Sequence, residues 1–538
     1  MSKENLIGII LILLITLVML FYQSSYRVET ERNLQPQAKT DTVANDSDKP
    51  IKKEIEPIDT THYEEKLVYV RTDLYEATLS SRGGDIISFN LLKYKDYMGN
   101  PVELVRRRKD VPTYRIDANF SDGRITSEEM YLAPDRDTLI VSESDSTMEV
   151  NFTGTLKNGA GIVRRYEFHY GSYIIHHHLV LVGHKENTIN SVKLTLACGT
   201  LPTEKNPNAE LRYFKGAVLY GDELIKKGLG GKPIEEHFDG VSRYAAVMSK
   251  YFALILAPED KPADASFIYG QKDSLMVFGQ ILSLPHFQSG LIFNVNKEYF
   301  EENDILYFGP QDYFALRKYG RSFEKVVDLG WKTLRPIAVA FLFLFRKLYS
   351  VIPNYGVVII IFSIFVKFLL HPLNIRMLRS MKKMKELEPK VRAIQAQYKD
   401  NPQKMNTELM RLYKEHGISP FSGCFPLLLQ MPIFFALYQV LSYTIELRAS
   451  PFILWIKDLS QKDPYMILPV LMTITQFIQQ KMTTKDPKQM AMVYIMPIVF
   501  FFIFMSFPAG LVLYWTTFNI LSIITQYFYE KKYWAQEG

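Results

Sequence analysis

Cysteine is nearly absent: Cys198 and Cys424 are the only two in 538 residues. Neither has a second cysteine nearby, which excludes a disulfide framework and a zinc ribbon or finger. There is no nucleotide loop of the Walker type, so nothing points to ATP as a source of drive. Residues 1–320 contain no Gly-x-Ser-x-Gly turn of the kind that presents a nucleophilic serine. The long apolar runs also lack carboxylates: residues 355–370, 425–445, 465–480, 490–507 and 509–528 hold no Asp or Glu. A proton pump or ion-coupled carrier would be expected to carry one near its midplane.

What is present is unevenly distributed. Leu6 to Tyr22 carries no charge and makes about 25 Å of helix, short but sufficient for a membrane anchor. An export signal is the rival reading, but the run is long for one, and Gln23-Ser24-Ser25-Tyr26-Arg27 lacks a small-x-small cleavage pattern. Residues 27–63 are polar and poor in aromatics and read as a flexible linker. From Leu67 to Tyr313 short alternating segments follow one another. Tyr75, Ala77 and Leu79 mark one strand face. After the turn Arg82-Gly83-Gly84-Asp85, Ile87, Phe89 and Leu91 mark the next. The expectation is an antiparallel β-sandwich domain over residues 64–320. On a strand, His176 and His178 share one face and His177 opposes them, so ordinary sheet histidines are preferred to a metal site.

Beyond Tyr313 the period becomes helical. Pro336 to Ile352 is apolar but contains the adjacent charges Arg346 and Lys347, which favours a helix lying in the membrane interface over a span. The five charge-poor runs named above, together with the anchor, give an expected six transmembrane helices. Loop charge orients them. Eleven basic residues from Arg376 to Lys414 face five acids, and Lys481, Lys485 and Lys488 face only Asp486, whereas the charges between Glu446 and Pro464 cancel. The positive-inside bias puts the first two loops and both termini in the cytoplasm and the β-domain outside. This accounts for the net charge of +6 without nucleic-acid recognition. It also places Cys198 and Cys424 on opposite sides. The expected domains are an anchor (1–26), a linker (27–63), the β-domain (64–320), linking and interfacial helices (321–354), a helical core (355–530) with a cytoplasmic hairpin (372–420), and a short tail (531–538).

The candidate site is polar and non-covalent. Lys367 is the only charge in its run, and Ser363 lies one turn earlier on the same face. Snorkelling to water and a place in a wet cavity are both open readings of this lysine. Gln430, Gln439, Gln476, Gln479, Thr516 and Thr517 are further lining candidates, with helix-to-helix bonding the plainer alternative. In the hairpin, Met377, Met381 and Met384 recur at helical spacing. They are read either as packing residues or as an adaptable surface for apolar clients.

Gly423-Cys424-Phe425-Pro426-Leu427-Leu428-Leu429-Gln430-Met431-Pro432-Ile433-Phe434, Pro451-Phe452-Ile453-Leu454-Trp455-Ile456-Lys457-Asp458-Leu459 and Phe507-Pro508-Ala509-Gly510-Leu511-Val512-Leu513-Tyr514-Trp515 resemble, in order and spacing, the signature stretches of the YidC membrane protein insertase family. The anchor and β-domain are similar to its long bacterial form. The resemblance implies a multi-pass inner-membrane insertase and chaperone of membrane protein biogenesis, not an enzyme and without cofactors. Its cytoplasm-open hydrophilic groove takes up polar client segments while hydrophobic ones pass into lipid. The family's groove arginine falls on Lys367, and lysine keeps the charge but loses the planar fork. Client recruitment is implied for the hairpin, with Met377, Met381, Met384 and Arg392. The implied partners are nascent membrane proteins, lipids, translocation channel components and the ribosome. The same groove also suits a transporter or lipid scramblase, and the β-domain suits an anchored envelope-assembly scaffold.

Overall fold

Alternating side chains turn residues 67–310 into strands and the 3.6-residue period turns residues 335–534 into helices, as seen in a computed structural model. It describes residues 64–106, 112–183, 187–197, 200–277, 279–417, 425–483 and 490–534. The N-terminal apolar run, the linker and both cysteines lie outside the described residues. The chain divides into two units, one ending at Val326 and the other beginning at Val327.

In the first unit, Tyr75, Ala77 and Leu79 are buried on one face of the strand Tyr75–Ser80. The turn that follows is made by Gly83 and Gly84, with φ of 73° and 65°, a region that favours glycine. The next strand, Asp85–Lys95, buries Phe89 and Leu91 but takes Ile86 inside in place of Ile87. The register against the preceding strand shifts between Thr78 and Leu79, and an extra residue there moves its neighbour to the other face.

The strands form two sheets. The five-stranded sheet runs, in spatial order, Pro101–Arg106, Asp85–Lys95, Tyr75–Ser80, Leu67–Arg71, Thr138–Ile140, and its last pair is parallel. The other sheet has fourteen strands. Stacked Tyr75 and Phe89, with ring centroids 4.4 Å apart, and Phe308, edge-on to Phe89 at 5.4 Å, join the two sheets. Two short helices, α1 (Pro207–Leu211) and α2 (Tyr313–Tyr319), belong to this unit. The expected antiparallel sandwich is therefore corrected to a mixed unit with an extensive sheet, one parallel strand pair, one helix between strands and another after the last strand.

The histidine triplet lies on Ile174–Val182. His177 faces inward, while His176 and His178 face Glu259 and Glu301. Nearby, buried Glu302 is pushed up to about 9, chiefly by desolvation, then by Asp304 and Asp260, with Lys261 opposing. The unfolded side chain releases its proton near pH 4.5. Between those values the folded chain binds the extra proton, so stability falls as pH rises through the window. Glu302→Gln removes this dependence. Scanning calorimetry at pH 5, 7 and 9 is expected to show the unchanged chain losing melting temperature relative to the variant, and parallel curves would refute the assignment.

The second unit begins with α3 (Arg335–Tyr349), α4 (Tyr355–Leu369) and α5 (His371–Glu386), followed by α6 (Glu388–Gln397) and α7 (Pro402–Glu415). Then come α8 (Phe425–Tyr443), α9 (Ile467–Thr483), α10 (Met490–Phe504) and α11 (Ala509–Trp534). In the hairpin, Leu387, Val391 and Ile394 pack on Leu412 and Tyr413. Asn401 caps α7, its Oδ1 accepting from the Lys404 amide at 3.1 Å, with Pro402 in the first turn. The chain breaks once more than a two-helix hairpin requires, at Leu387 ahead of Pro389, where a proline suits a helix start and not its interior.

Among the described residues no helix is long and apolar enough to cross a membrane. The expectation of six transmembrane helices is corrected accordingly. At 15 residues each, α4 and α10 reach about 22 Å, against roughly 30 Å of hydrocarbon. The longer α11 is interrupted by Thr516, Thr517, Asn519, Ser522 and Gln526, and its last turns carry Glu530, Lys531 and Lys532. The placement built on those spans falls with them: a multi-pass inner-membrane chain with a periplasmic β-domain and both termini in the cytoplasm.

Candidate functional site

The candidate residues gather around α11, which packs against α4, α8 and α9. One face of α4 is buried, through Tyr355, Val358, Ile359, Phe362, Ser363 and Val366, the i, i+3, i+4, i+7 repeat of an amphipathic helix. Its other face exposes Ile364, Phe365, Phe368 and Leu369. Lys367 stands between these faces, half-buried.

Its ammonium donates to Ser522 Oγ on α11 at 2.7 Å and lies 4.8 Å from the centre of the Phe518 ring. No carboxylate among the described residues pairs with it. Ser522 in turn donates to the Phe518 carbonyl at 2.7 Å. Ser363 is fully buried and bonds back to the Ile359 carbonyl at 2.7 Å. It lies one turn from Lys367, and no side-chain hydrogen bond joins the two.

Thr516 and Thr517 donate to the Val512 and Leu513 carbonyls of their own helix, the first buried and the second half-buried. On α9, Gln476 is buried and Gln479 half-buried. The neighbouring Thr475 Oγ1 accepts from Asn519 Nδ2 at 3.5 Å, which joins α9 to α11. On α8, buried Gln430 lies beside the Tyr514 hydroxyl. Gln439, also buried on α8, packs under Gly330, where an added Cβ would come within 2.9 Å of Gln439 Cγ. In the hairpin, Arg392 is exposed and pairs with Glu388 at 2.6 Å. Met377, Met381 and Met384 lie on α5, with side chains outside the described residues.

Sequence reasoning missed Ser522 and Phe518. A signal was available, because Thr516, Asn519, Ser522 and Gln526 recur at steps of three, three and four, one buried stripe down α11. The choice of Lys367 as its partner, 155 residues away, is not a local property.

The segment from Pro451 to Asp463 fixes the ends of these helices. The Phe452 carbonyl accepts from Asn354 Nδ2 at 3.3 Å, just ahead of α4. The Leu459 and Gln461 carbonyls accept from the Gly510 and Ala509 amides at 2.9 and 2.7 Å, at the start of α11. Asp463 accepts from Trp455 Nε1 at 3.1 Å and from the Tyr465 and Leu468 amides at 3.0 and 2.8 Å. The segment supplies acceptors for amides that a helix start leaves without an intrahelical partner.

Comparison with known proteins gives two family matches. Residues 67–342 match the YidC periplasmic domain, and residues 347–536 match the 60Kd inner membrane protein family. The chain is similar to the membrane protein insertase YidC of Chlorobium luteolum, with 30% identity covering 98% of this chain and 95% of that one. It is also similar to the protein of the same description from Citrifermentans bemidjiense, with 34% identity over 87% and 86%. A crystal structure of an active YidC insertase with its first transmembrane domain resolved aligns over 88% of this chain and 95% of that one, at 19% identity and a TM-score of 0.37.

Proposed function

The chain belongs to the YidC family of membrane protein insertases, and from that premise we propose that the polar residues around α11 form a hydrophilic groove for client segments. Membership makes it an insertase and chaperone of membrane protein biogenesis, not an enzyme, with nascent membrane proteins and lipids as its partners. In the proposed mechanism a polar client stretch enters beside Lys367, Ser363, Gln430, Gln476, Thr516 and Thr517, with Gln479 at the margin. The client's hydrophobic segment meanwhile moves into the bilayer. Burial of that segment, at roughly 25 cal/mol per Å² of apolar surface, supplies the drive without nucleotide hydrolysis. Fixed polar groups reduce the desolvation cost of the polar stretch.

The observation that carries this reading is the state of Lys367: a half-buried ammonium on a neutral hydroxyl, without a carboxylate among the described residues. An unneutralised charge at that depth is unfavourable unless it meets a polar or negative group in use. Recruitment of clients by Met377, Met381, Met384 and Arg392 on α5 and α6, and engagement of a translocation channel and ribosome, extend the same proposal.

The test is insertion of a small single-span client into liposomes by Lys367 variants. Arginine keeps charge and reach and is expected to stay within about twofold of the unchanged protein. Leucine removes the donor, an expected loss of about tenfold or more for a client with an acidic polar stretch. Glutamate reverses the attraction and is expected to be the harshest change for that client. Equal activity across all three variants would refute the groove.

A further inference from the structure

We propose that Ser522 is the positioning residue of the groove, a neutral tether that fixes the Lys367 ammonium without cancelling its charge. This rests on the reading of Lys367 as a groove residue and deepens it. The Ser522 hydroxyl proton is committed to the Phe518 carbonyl at 2.7 Å, which turns the oxygen's lone pairs away from its own helix. One of them accepts from Lys367 Nζ at 2.7 Å. The Phe518 ring, 4.8 Å from the same nitrogen, adds the face of an aromatic quadrupole. Serine and ring are both uncharged, and they come from the same turn of α11.

An ammonium has three donors. Ser522 uses one, and among the described residues the Lys367 ammonium makes no other hydrogen bond, so two remain for an incoming oxygen. A carboxylate in place of Ser522 would hold the lysine more strongly but would neutralise it by direct Coulomb attraction. The pairing also fits lysine better than arginine. A single hydroxyl can anchor a point charge on a flexible stem, but it meets only one of the five fixed donors of a guanidinium. Lysine at residue 367 and serine at residue 522 thus make one unit.

The test compares Ser522→Ala, Ser522→Thr and Ser522→Asp in full-length protein, each with Lys367 retained and with Lys367→Leu. Insertion of a small client into liposomes is measured together with the rate at which an amine reagent modifies Lys367, followed by mass spectrometry. Alanine is expected to lower insertion about tenfold, the equivalent of one hydrogen bond to a charged group, and to speed modification of the released amine. Threonine keeps the hydroxyl and is expected to restore both readings. Aspartate is expected to slow modification yet insert no better than alanine, a separation that a merely structural bond would not produce. In the Lys367→Leu background, Ser522→Ala is expected to add nothing.

Three results would overturn the proposal: an alanine variant with unchanged insertion and labelling, an aspartate variant as active as serine, or an undiminished alanine effect without the lysine. If Lys367→Leu itself leaves insertion unchanged, the groove reading fails. If that variant is impaired while Ser522→Ala is silent, the tether alone fails.

Discussion

Replacing Arg164 with leucine is expected to destabilise the strand unit by about 3–5 kcal/mol, the range for leaving a buried charge network without one partner. Arg164 is fully buried on the strand Gly161–His169. Its Nε donates to His177 Nε2 at 3.3 Å, and its Nη1 donates to the Gly83 carbonyl. The guanidinium lies 5.0 and 5.3 Å from the Tyr114 and Tyr166 ring centres.

The surrounding groups are arranged around that cation. Burial holds the His177 imidazole well below its ordinary range, with Arg164 adding to the effect, so the ring is neutral and Nε2 can accept. Burial pushes Asp304 up to about 7, while the Tyr114 hydroxyl, donating at 2.9 Å, and Arg164 draw it down. Asp85 is likewise raised by burial. Amide donors at Thr113 and Tyr114, together with Arg164, oppose that rise. Leucine fills the space but leaves the Gly83 carbonyl without its donor and two buried carboxyls without their nearest cation.

Gly83 lies in the turn of the five-stranded sheet and Arg164 in the fourteen-stranded one, so this loss acts on the joint between sheets. Urea unfolding of the full-length chain measures the change. Hydrogen exchange is expected to rise first at the amides of Gly83, Thr113 and Tyr114. A change under about 1 kcal/mol, the size of one ordinary hydrogen bond, would show that the network is not coupled.

Gly356→Val is expected to displace the Pro451–Asp463 segment from α4, at about 3 kcal/mol or more, the upper range for overpacking. A Cβ at Gly356 would sit 2.0 Å from Phe452 Cδ2 and 2.3 Å from its Cγ. The clash is with the root of the ring, so rotation of the ring about its own axis cannot relieve it. Either Phe452 leaves, or the first turn of α4 moves and breaks the contact between Asn354 and the Phe452 carbonyl. Because Leu459 accepts from Gly510, the disturbance reaches the start of α11 as well. Thermal unfolding and limited proteolysis between residues 451 and 463 measure the effect. A Phe452→Ala change added to Gly356→Val should recover part of the loss by vacating the collision. If the double variant is weaker than the sum of its parts, the steric account is wrong.

Local regularity determined much of this protein. The alternation at Tyr75, Ala77 and Leu79 and the helical spacing of Met377, Met381 and Met384 could both be read before any fold was known. Each depends on residues within about four positions of one another, where backbone geometry alone sets the neighbours. The family was legible for a similar reason. Gly356 stands where the Phe452 ring comes close and Gly510 where the Leu459 carbonyl does, and Phe452 and Gly510 fall within the motif runs themselves.

Tertiary structure decided what local periodicity cannot reach. A register shift exchanged Ile87 for Ile86, because pairing with Tyr75–Ser80, and not alternation, selects the buried face. Apolar composition suggested six spans, but among the described residues no helix is long and apolar enough to cross a membrane, because where each helix begins and ends is set by caps and neighbouring segments such as Asn354 and Asp463. Gln439 packs against Gly330, more than a hundred residues before it in the chain. Lys367 found Ser522, and Arg164 found Gly83 across 81 residues. The sequence alone declared that such polar groups need partners once buried; only the packing of one element against another determined which partners they meet.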